Sequence, residues 1–282
     1  MFKIIEKEEL AHTIYMMRLV VPDIASKARA GQFLVIRLNE TGERIPLTIA
    51  DYDCDNGTID IVFQVVGKTT EQLSCMEIGD SIQDIAGPMG KASHIPQDEK
   101  VVVVGGGVGI APIYPITRAF HEAGNHVIGI IGARSENLLI YEDKMKEVCD
   151  EFHLTTDDGT KGRCSLVTAP LTEVLEKNKD VKLVVVIGPG IMMKCCAEAT
   201  KPFGVKTMVS LNSIMVDGTG MCGACRVEVG GETKFACADG PEFDGHQVNF
   251  GLLMDRLRAY TGKEKQALDD FHSKDGCKCQ TK

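Results

Sequence analysis

The amino-acid sequence predicts an antiparallel β-barrel, then a parallel-sheet α/β domain, then a cysteine-bearing loop region ending in a helical tail. Three observations carry that reading. Short β-rich runs separated by turn residues fill positions 2–95, a continuous apolar strand runs into a glycine turn just after position 100, and Cys222 and Cys225 stand in a glycine-rich loop with Cys237 beyond them.

At 282 residues, 44% of them apolar and 25% charged, the chain is long enough for two cores. Its formal net charge of −9 repels phosphate backbones, so neither nucleic acid nor an anionic membrane is the expected partner. The start "MFKIIEKEEL" is charged throughout and lacks the apolar stretch of an export signal. The longest uncharged run, Val101 to Thr117, holds four glycines and two prolines, which suits a strand and turn rather than a bilayer span. A cytoplasmic protein is expected. In that setting its eleven cysteines are read as thiols or metal ligands, not as a disulfide framework.

The barrel is read over residues 1–97. "TIYMMRLVV", "QFLVIRL", "LTIADYD" and "TIDIVFQVV" are β-rich, and "PDIASKARAG", "NETGERI" and "CDNG" separate them. That spacing suggests a small closed antiparallel barrel. "HIPQDEK" reads as a linker. Residues 98–210 form the α/β domain: "KVVVVGGGVGIAPIYPITRAFHEAGNHVIGIIGARS" is a strand, a glycine turn, a helix stopped by Gly124-Asn125, and a second strand. Continuous apolar strands imply a parallel sheet covered on both faces. "KLVVVIGPG" repeats the theme, and "IMMKCCAEATKPFG" is its helix, with Cys195 and Cys196 read as small core residues. Residues 211–282 hold the cysteine loop and the helical tail.

"GGGVGIAP", Gly105 to Pro112, lies where a strand meets a helix, so bare backbone and the helix N-terminus can face a pyrophosphate. The plain alternative is a glycine turn that only packs helix on sheet. Ile110 stands where G-x-G-x-x-G needs its last glycine, which disfavours an ordinary Rossmann dehydrogenase. "GKTT", Gly67 to Thr70, resembles the end of a phosphate loop, but Val62 stands where Walker A requires glycine. Either a phosphate grip or a solvated hairpin turn fits it.

"RIPLTIAD", Arg44 to Asp51, joins these pieces. With Arg44, Pro46 and Thr48 in the barrel and Gly107, Gly109, Ala111 and Pro112 in the next domain, the chain resembles the ferredoxin-reductase-like flavoprotein superfamily. There, R-x-P-x-[ST] on an N-terminal FAD-binding barrel is followed by G-x-G-x-[AG]-P on a nucleotide-binding domain. The resemblance implies FAD held by Arg44, Pro46, Leu47 and Thr48, lined by Phe63, Gln64 and Val65, with Gly67, Lys68, Thr69 and Thr70 at its phosphates. A guanidinium fork suits a pyrophosphate, and the Thr48 hydroxyl suits the flavin's reactive edge. NAD(H) would contact Gly106, Gly107, Gly109, Ala111, Pro112, the strand end Gly132, Ala133 and Arg134, then Asp157, Gly188 and Pro189. Arg134 invites a 2′-phosphate, whereas Glu136, Glu142 and Asp143 repel one, so NAD(H) is favoured over NADP(H).

Cys222, Cys225 and Cys237 form C-x2-C-x11-C. A plant-type [2Fe-2S] site adds a cysteine five residues before such a pair, and there the chain has Asp217. Two metals are weighed. Zinc needs a fourth ligand and usually a second C-x2-C or histidine pair, but the seven histidines are scattered. A [2Fe-2S] cluster is favoured, with Asp217 or a cysteine of the "GCKCQ" tail, Cys277 or Cys279, as fourth ligand. The region resembles the electron-transfer subunits of dihydroorotate dehydrogenase, which use four cysteines. Asp plus three Cys resembles the family of small subunits of electron-bifurcating NADH-dependent ferredoxin:NADP oxidoreductases, also known as sulfide dehydrogenase subunits. That family implies a larger partner subunit with flavin, iron-sulfur clusters and the NADP(H) site, and ferredoxin reached through the complex. A dihydroorotate-linked subunit and a non-catalytic zinc module are the alternatives.

Overall fold

The computed structural model describes residues 1–275. Seven antiparallel strands make the first sheet: β1 (Phe2–Ala11), β2 (Ile14–Val20), β3 (Phe33–Arg37), β4 (Arg44–Asp53), β5 (Thr58–Gln64), β6 (Ser81–Ile82) and β7 (Asp84–Met89). Their order is β6-β1-β2-β5-β4-β3-β7. Alternation places Leu34, Ile36, Ile49, Ile59 and Ile61 in one interior cluster and leaves the other side chains outside. The expected closure is approached rather than completed, because among the described residues no ladder joins β6 to β7. Two short helices interrupt the strands: α1 (Pro22–Ala25), in a stretch read as a plain separator, and α2 (Lys68–Ser74).

The second sheet explains why β-strand and glycine turn recur. β8 (Lys100–Gly106), β9 (His126–Ala133), β10 (Glu151–Thr156), β11 (Arg163–Cys164), β12 (Leu183–Ile187) and β13 (Lys206–Ser210) are parallel. Their order, β11-β10-β9-β8-β12-β13, runs outward one way from β8 and then the other way from β12. That reversal is a topological switch point, where strand carboxyl ends leave a crevice. Ile187 lies opposite Gly105, so both glycine turns open into it. Helices α3 (Ile110–Glu122), α4 (Glu142–Glu147), α5 (Thr168–Lys177) and α6 (Gly190–Thr200) follow the strands. Val102, Val104, Val184 and Val186 face one core, while Val101, Val103, Leu183 and Val185 face another.

The C-terminal region does not stand apart. A hairpin of β14 (Arg226–Val229) and β15 (Glu232–Phe235) leads to α7 (Ala236–Asp239), and then β16 (Glu242–Asp244) pairs antiparallel with β13. The sheet is thus parallel except at this edge. The helical tail is two helices, α8 (Phe250–Arg258) and α9 (Thr261–Asp275). The second reaches back to α2, where the His272 Nε2 lies 2.9 Å from both Glu71 carboxylate oxygens. No helix among the described residues is long and apolar enough to cross a membrane.

Candidate functional site

A cavity of about 970 Å3 opens between the barrel and the carboxyl ends of the parallel strands. From the barrel it is lined by Pro46, Leu47 and Thr48 of β4, by Phe63 and Gln64 of β5, and by Thr70 of α2. From the sheet side come Gly106, Gly107, Gly109 and Pro112, then Gly132, Ala133, Arg134, Asp157, Gly188 and Pro189. Residues chosen from two separate motifs therefore share one space. Gly109 is required by close approach: a Cβ there would sit 2.5 Å from the Ile187 carbonyl oxygen. With bare backbone, the β8 turn lies against the β12 turn and the start of α3 faces the cavity.

Six expected residues are not on that wall: Arg44, Val65, Gly67, Lys68, Thr69 and Ala111. Ala111 is fully buried in the first turn of α3 and Thr69 is buried in α2. Of the two alternatives for "GKTT", the solvated hairpin turn does not form, because Gly67 caps a helix instead. The Thr70 hydroxyl accepts from the Val66 and Gly67 backbone N–H groups and donates to the Gly67 carbonyl. Its hydrogen bonds thus build the cap. Cys195, read as core, lines the cavity, whereas Cys196 is fully buried. Burial pushes the Cys196 thiol up to about 12.

Sequence reasoning missed the segment Ser210–Ser213, together with Met215 and Pro241, on the same wall. No motif marks it; only its place directly after β13 does. The Ser213 hydroxyl is buried without a hydrogen-bond partner among the described residues. Such an orphan is costly in a finished core and fits a site that a ligand's polar atoms complete. The acids counted against a 2′-phosphate are partly neutralised. Glu142 binds Lys146 at 2.6 Å and Lys161 at 2.7 Å, and Glu136 lies 3.7 Å from Lys161. Lys146 and then Lys161 hold the Glu142 carboxyl below its ordinary range.

The cysteine loop lies against the barrel. Gly218, Gly220 and Gly223 all have left-handed φ, between 69° and 84°. A Cβ on Gly218 would meet the Met89 Sδ at 2.2 Å and Val35 at 3.0 Å. The turn folds the Asp217 carboxylate back onto its own loop, where it accepts from the Thr219 and Cys222 backbone N–H groups, each at 2.9 Å. Those donors, Thr219 foremost, hold its carboxyl below the usual carboxylate range. Cys225 and Cys237 are buried with sulfurs 3.1 Å apart, while Cys222 is exposed. Burial, then the Cys225 thiol, pushes Cys237 up to about 12.

Two thiolates on one tetrahedral metal at about 2.3 Å lie about 3.8 Å apart, so the Cys225–Cys237 pair needs only a small opening to share a metal. Among the described residues no three such side chains converge on a single point. Cys277 and Cys279 lie outside the described residues. Cys75 is disulfide-bonded, an exception to the reading of the cysteines as thiols or metal ligands, while the other eight described cysteines are free.

Comparison with known proteins gives a consistent picture. Residues 1–94 match the oxidoreductase FAD-binding domain, 103–198 the oxidoreductase NAD-binding domain, and 212–249 the iron-sulfur cluster binding domain of dihydroorotate dehydrogenase B. A Thermotoga maritima homologue of the dihydroorotate dehydrogenase B electron transfer subunit is 46% identical, with 95% of each chain covered. The Desulforamulus reducens dihydroorotate dehydrogenase B electron transfer subunit is 31% identical, covering 87% of this chain and 96% of its own. A solved chain of an NADH-dependent reduced ferredoxin-NADP oxidoreductase, studied for flavin-based electron bifurcation, superposes with a TM-score of 0.90. It is 46% identical and covers 95% of this chain and 97% of its own.

Proposed function

This chain belongs to the family of dihydroorotate dehydrogenase B electron transfer subunits and their homologues, and on that premise we propose that it is the small, electron-transferring subunit of an NADH-dependent ferredoxin:NADP oxidoreductase. It exchanges hydride between NAD(H) and FAD, and single electrons with a [2Fe-2S] cluster. The observation that carries this reading is the single cavity lined by both nucleotide motifs, with the Asp217 loop packed on the same barrel. Residues 1–97 form the FAD domain, 98–210 the NAD domain and 211–282 the cluster region.

FAD supplies the exchange between two-electron and one-electron chemistry. The chain's task is to hold and orient. Pro46, Leu47 and Thr48 present one strand edge to the flavin ring, with the Thr48 hydroxyl as a hydrogen-bond donor, and Phe63 and Gln64 flank it. Arg44 and Lys68, at the start of α2, serve the phosphates. The glycine turn Gly106–Gly109, Pro112, and the strand ends Gly132–Arg134, Asp157, Gly188 and Pro189 seat the nicotinamide cofactor. Asp217, Cys222, Cys225 and Cys237 serve as cluster ligands. A carboxylate keeps the formal charge of a thiolate but replaces a soft donor by a hard one, so Asp217 tunes potential more than assembly.

The larger partner, bearing a second flavin, iron-sulfur clusters and the NADP(H) site, completes the reaction: oxidation of ferredoxin and NADH coupled to NADP reduction, in the cytoplasm. Met221, 86% exposed beside Cys222, and exposed Val216 form an apolar lip on the cluster loop suited to such a neighbour. A dihydroorotate-linked role has weaker support: the relative named outright as such a subunit, from Desulforamulus reducens, is at 31% identity, whereas at 46% stand the ferredoxin-NADP chain and a Thermotoga maritima protein named only a homologue of that subunit. Anaerobic purification tests the proposal: FAD and two irons per chain, with flavin bleaching on NADH addition, are expected. One zinc without iron or flavin would overturn it.

A further inference from the structure

We propose that the ion pair between Arg118 and Asp51 is a positioning pair: it sets how closely the nicotinamide-bearing helix approaches the flavin-bearing strand, and so governs hydride transfer. The inference rests on the function proposed above and assigns that reaction two residues outside the cavity wall.

Asp51 lies on β4 three residues beyond Thr48, about 10 Å along the strand. Arg118 lies on α3 six residues beyond Pro112, about 9 Å along the helix. The pair therefore ties together the two elements that reach into the cavity, a short lever behind both reacting ends. The Arg118 Nη1 donates to the Asp51 Oδ1 at 2.7 Å, with side chains only 26% and 20% exposed. The guanidinium lies 5.7 Å from the Tyr52 ring on the barrel and 5.6 Å from the Tyr114 ring on its own helix. The Tyr52 backbone N–H, at 2.8 Å, orients the carboxylate. Glu122 lies 3.8 Å from the Arg118 Nε, a weaker competitor.

The strand is built to deliver this carboxylate. Ile49 packs inside the barrel and Ala50 packs on the side facing α3. Strict alternation would return position 51 to the interior. A bulge between Ile49 and Asp51 in the β4–β5 ladder re-aims it. Charge accounting gives the same answer. Asp51 stands opposite Asp60, which is 2% exposed, and like charges in that register repel. Arg18 takes Asp60 with two hydrogen bonds, at 2.7 and 2.8 Å. The cation for Asp51 comes from the other domain. Apolar contact alone would hold a seam at least as stably as a shielded ion pair; the pair adds direction. Hydride donor and acceptor must meet within about 3.5 Å, where a 1 Å error costs about a hundredfold in rate.

The test uses the FAD- and cluster-loaded chain, with Asp51→Asn, Arg118→Met and Arg118→Lys. Anaerobic stopped-flow reduction by NADH over a concentration series separates NADH affinity from the limiting rate constant, and 4-deuterated NADH marks the hydride step. The expected result is a limiting rate constant lower by about ten- to a hundredfold in Asp51→Asn and Arg118→Met. NADH affinity, FAD content and cluster absorbance should hold, the deuterium effect should persist or grow, and Arg118→Lys should fall between, since it keeps the charge without the planar fork. Unchanged limiting rates in the Asn and Met variants, even with a lowered melting temperature, would overturn the inference while leaving the function intact. A wild-type chain that NADH fails to reduce would overturn both.

Discussion

At the scale of single residues, Asp217 is the proposed fourth ligand, a carboxylate standing five residues before Cys222 where a plant-type site has a cysteine. Asp217→Cys should keep a [2Fe-2S] spectrum and move its midpoint potential in a redox titration; an unmoved midpoint would show that Asp217 does not bind iron. Cys225→Ser, which breaks the buried pair with Cys237, should lose cluster absorbance and its electron paramagnetic resonance signal while NADH still bleaches the flavin. Gly109→Ala tests the nucleotide turn. Its φ of −63° suits alanine, so the cost comes from the β12 turn, with the Ile187 carbonyl oxygen 2.5 Å and the Gly188 Cα 2.9 Å from the new methyl. A loss of about 1–3 kcal/mol in denaturant unfolding is expected from such overpacking, with weaker NADH binding by calorimetry. Cavity-wall glycines such as Gly107 and Gly109 were legible in the sequence because they answer a local demand for bare backbone. Ser213 and Arg118 answer demands set by distant chain, and nothing local marks them.

At the scale of elements, β16 shows how a short segment can tie regions together. Its Glu242 carboxyl turns inward to accept from the Ser93 hydroxyl at 2.5 Å, joining the cluster region to the barrel's exit. Burial raises its pKa above the ordinary 4.5, against a smaller opposite pull from Ser93. The folded state therefore holds this proton more tightly than the unfolded chain. The stability so contributed is complete below pH 4.5 and is lost as pH climbs through the raised value. Glu242→Gln is neutral at every pH. Its melting temperature relative to wild type should rise as pH increases above 4.5; a pH-independent difference would contradict the buried titration. The β8, β9 and β12 strands were legible because they are continuous apolar runs. β1 was not, since its sequence FKIIEKEELA is charged and takes its order from pairing with β2. The helix at Lys68 was hidden because Gly67 and two threonines read as a turn until Thr70 caps it.

At the scale of the whole molecule, the exposed lip at Met221 and Val216 makes a prediction about assembly. Met221→Glu should reduce co-purification of the larger partner subunit, while FAD, iron and NADH-driven flavin bleaching in the isolated chain remain as in wild type. An undiminished complex on size exclusion would place the contact elsewhere. The three-part order of the chain was legible from texture alone, barrel to sheet to cysteine loop. What texture could not reveal is that the last part re-enters the second sheet at β16. The outer edge of β13 waits for residues 242–244, which leave the ribosome after Cys237. A nascent chain ending before them exposes an open strand edge, a ready template for aggregation. Sealing of the nucleotide sheet is thus a late event in biogenesis, complete only when the segment that follows Cys237 has been made and has paired with β13.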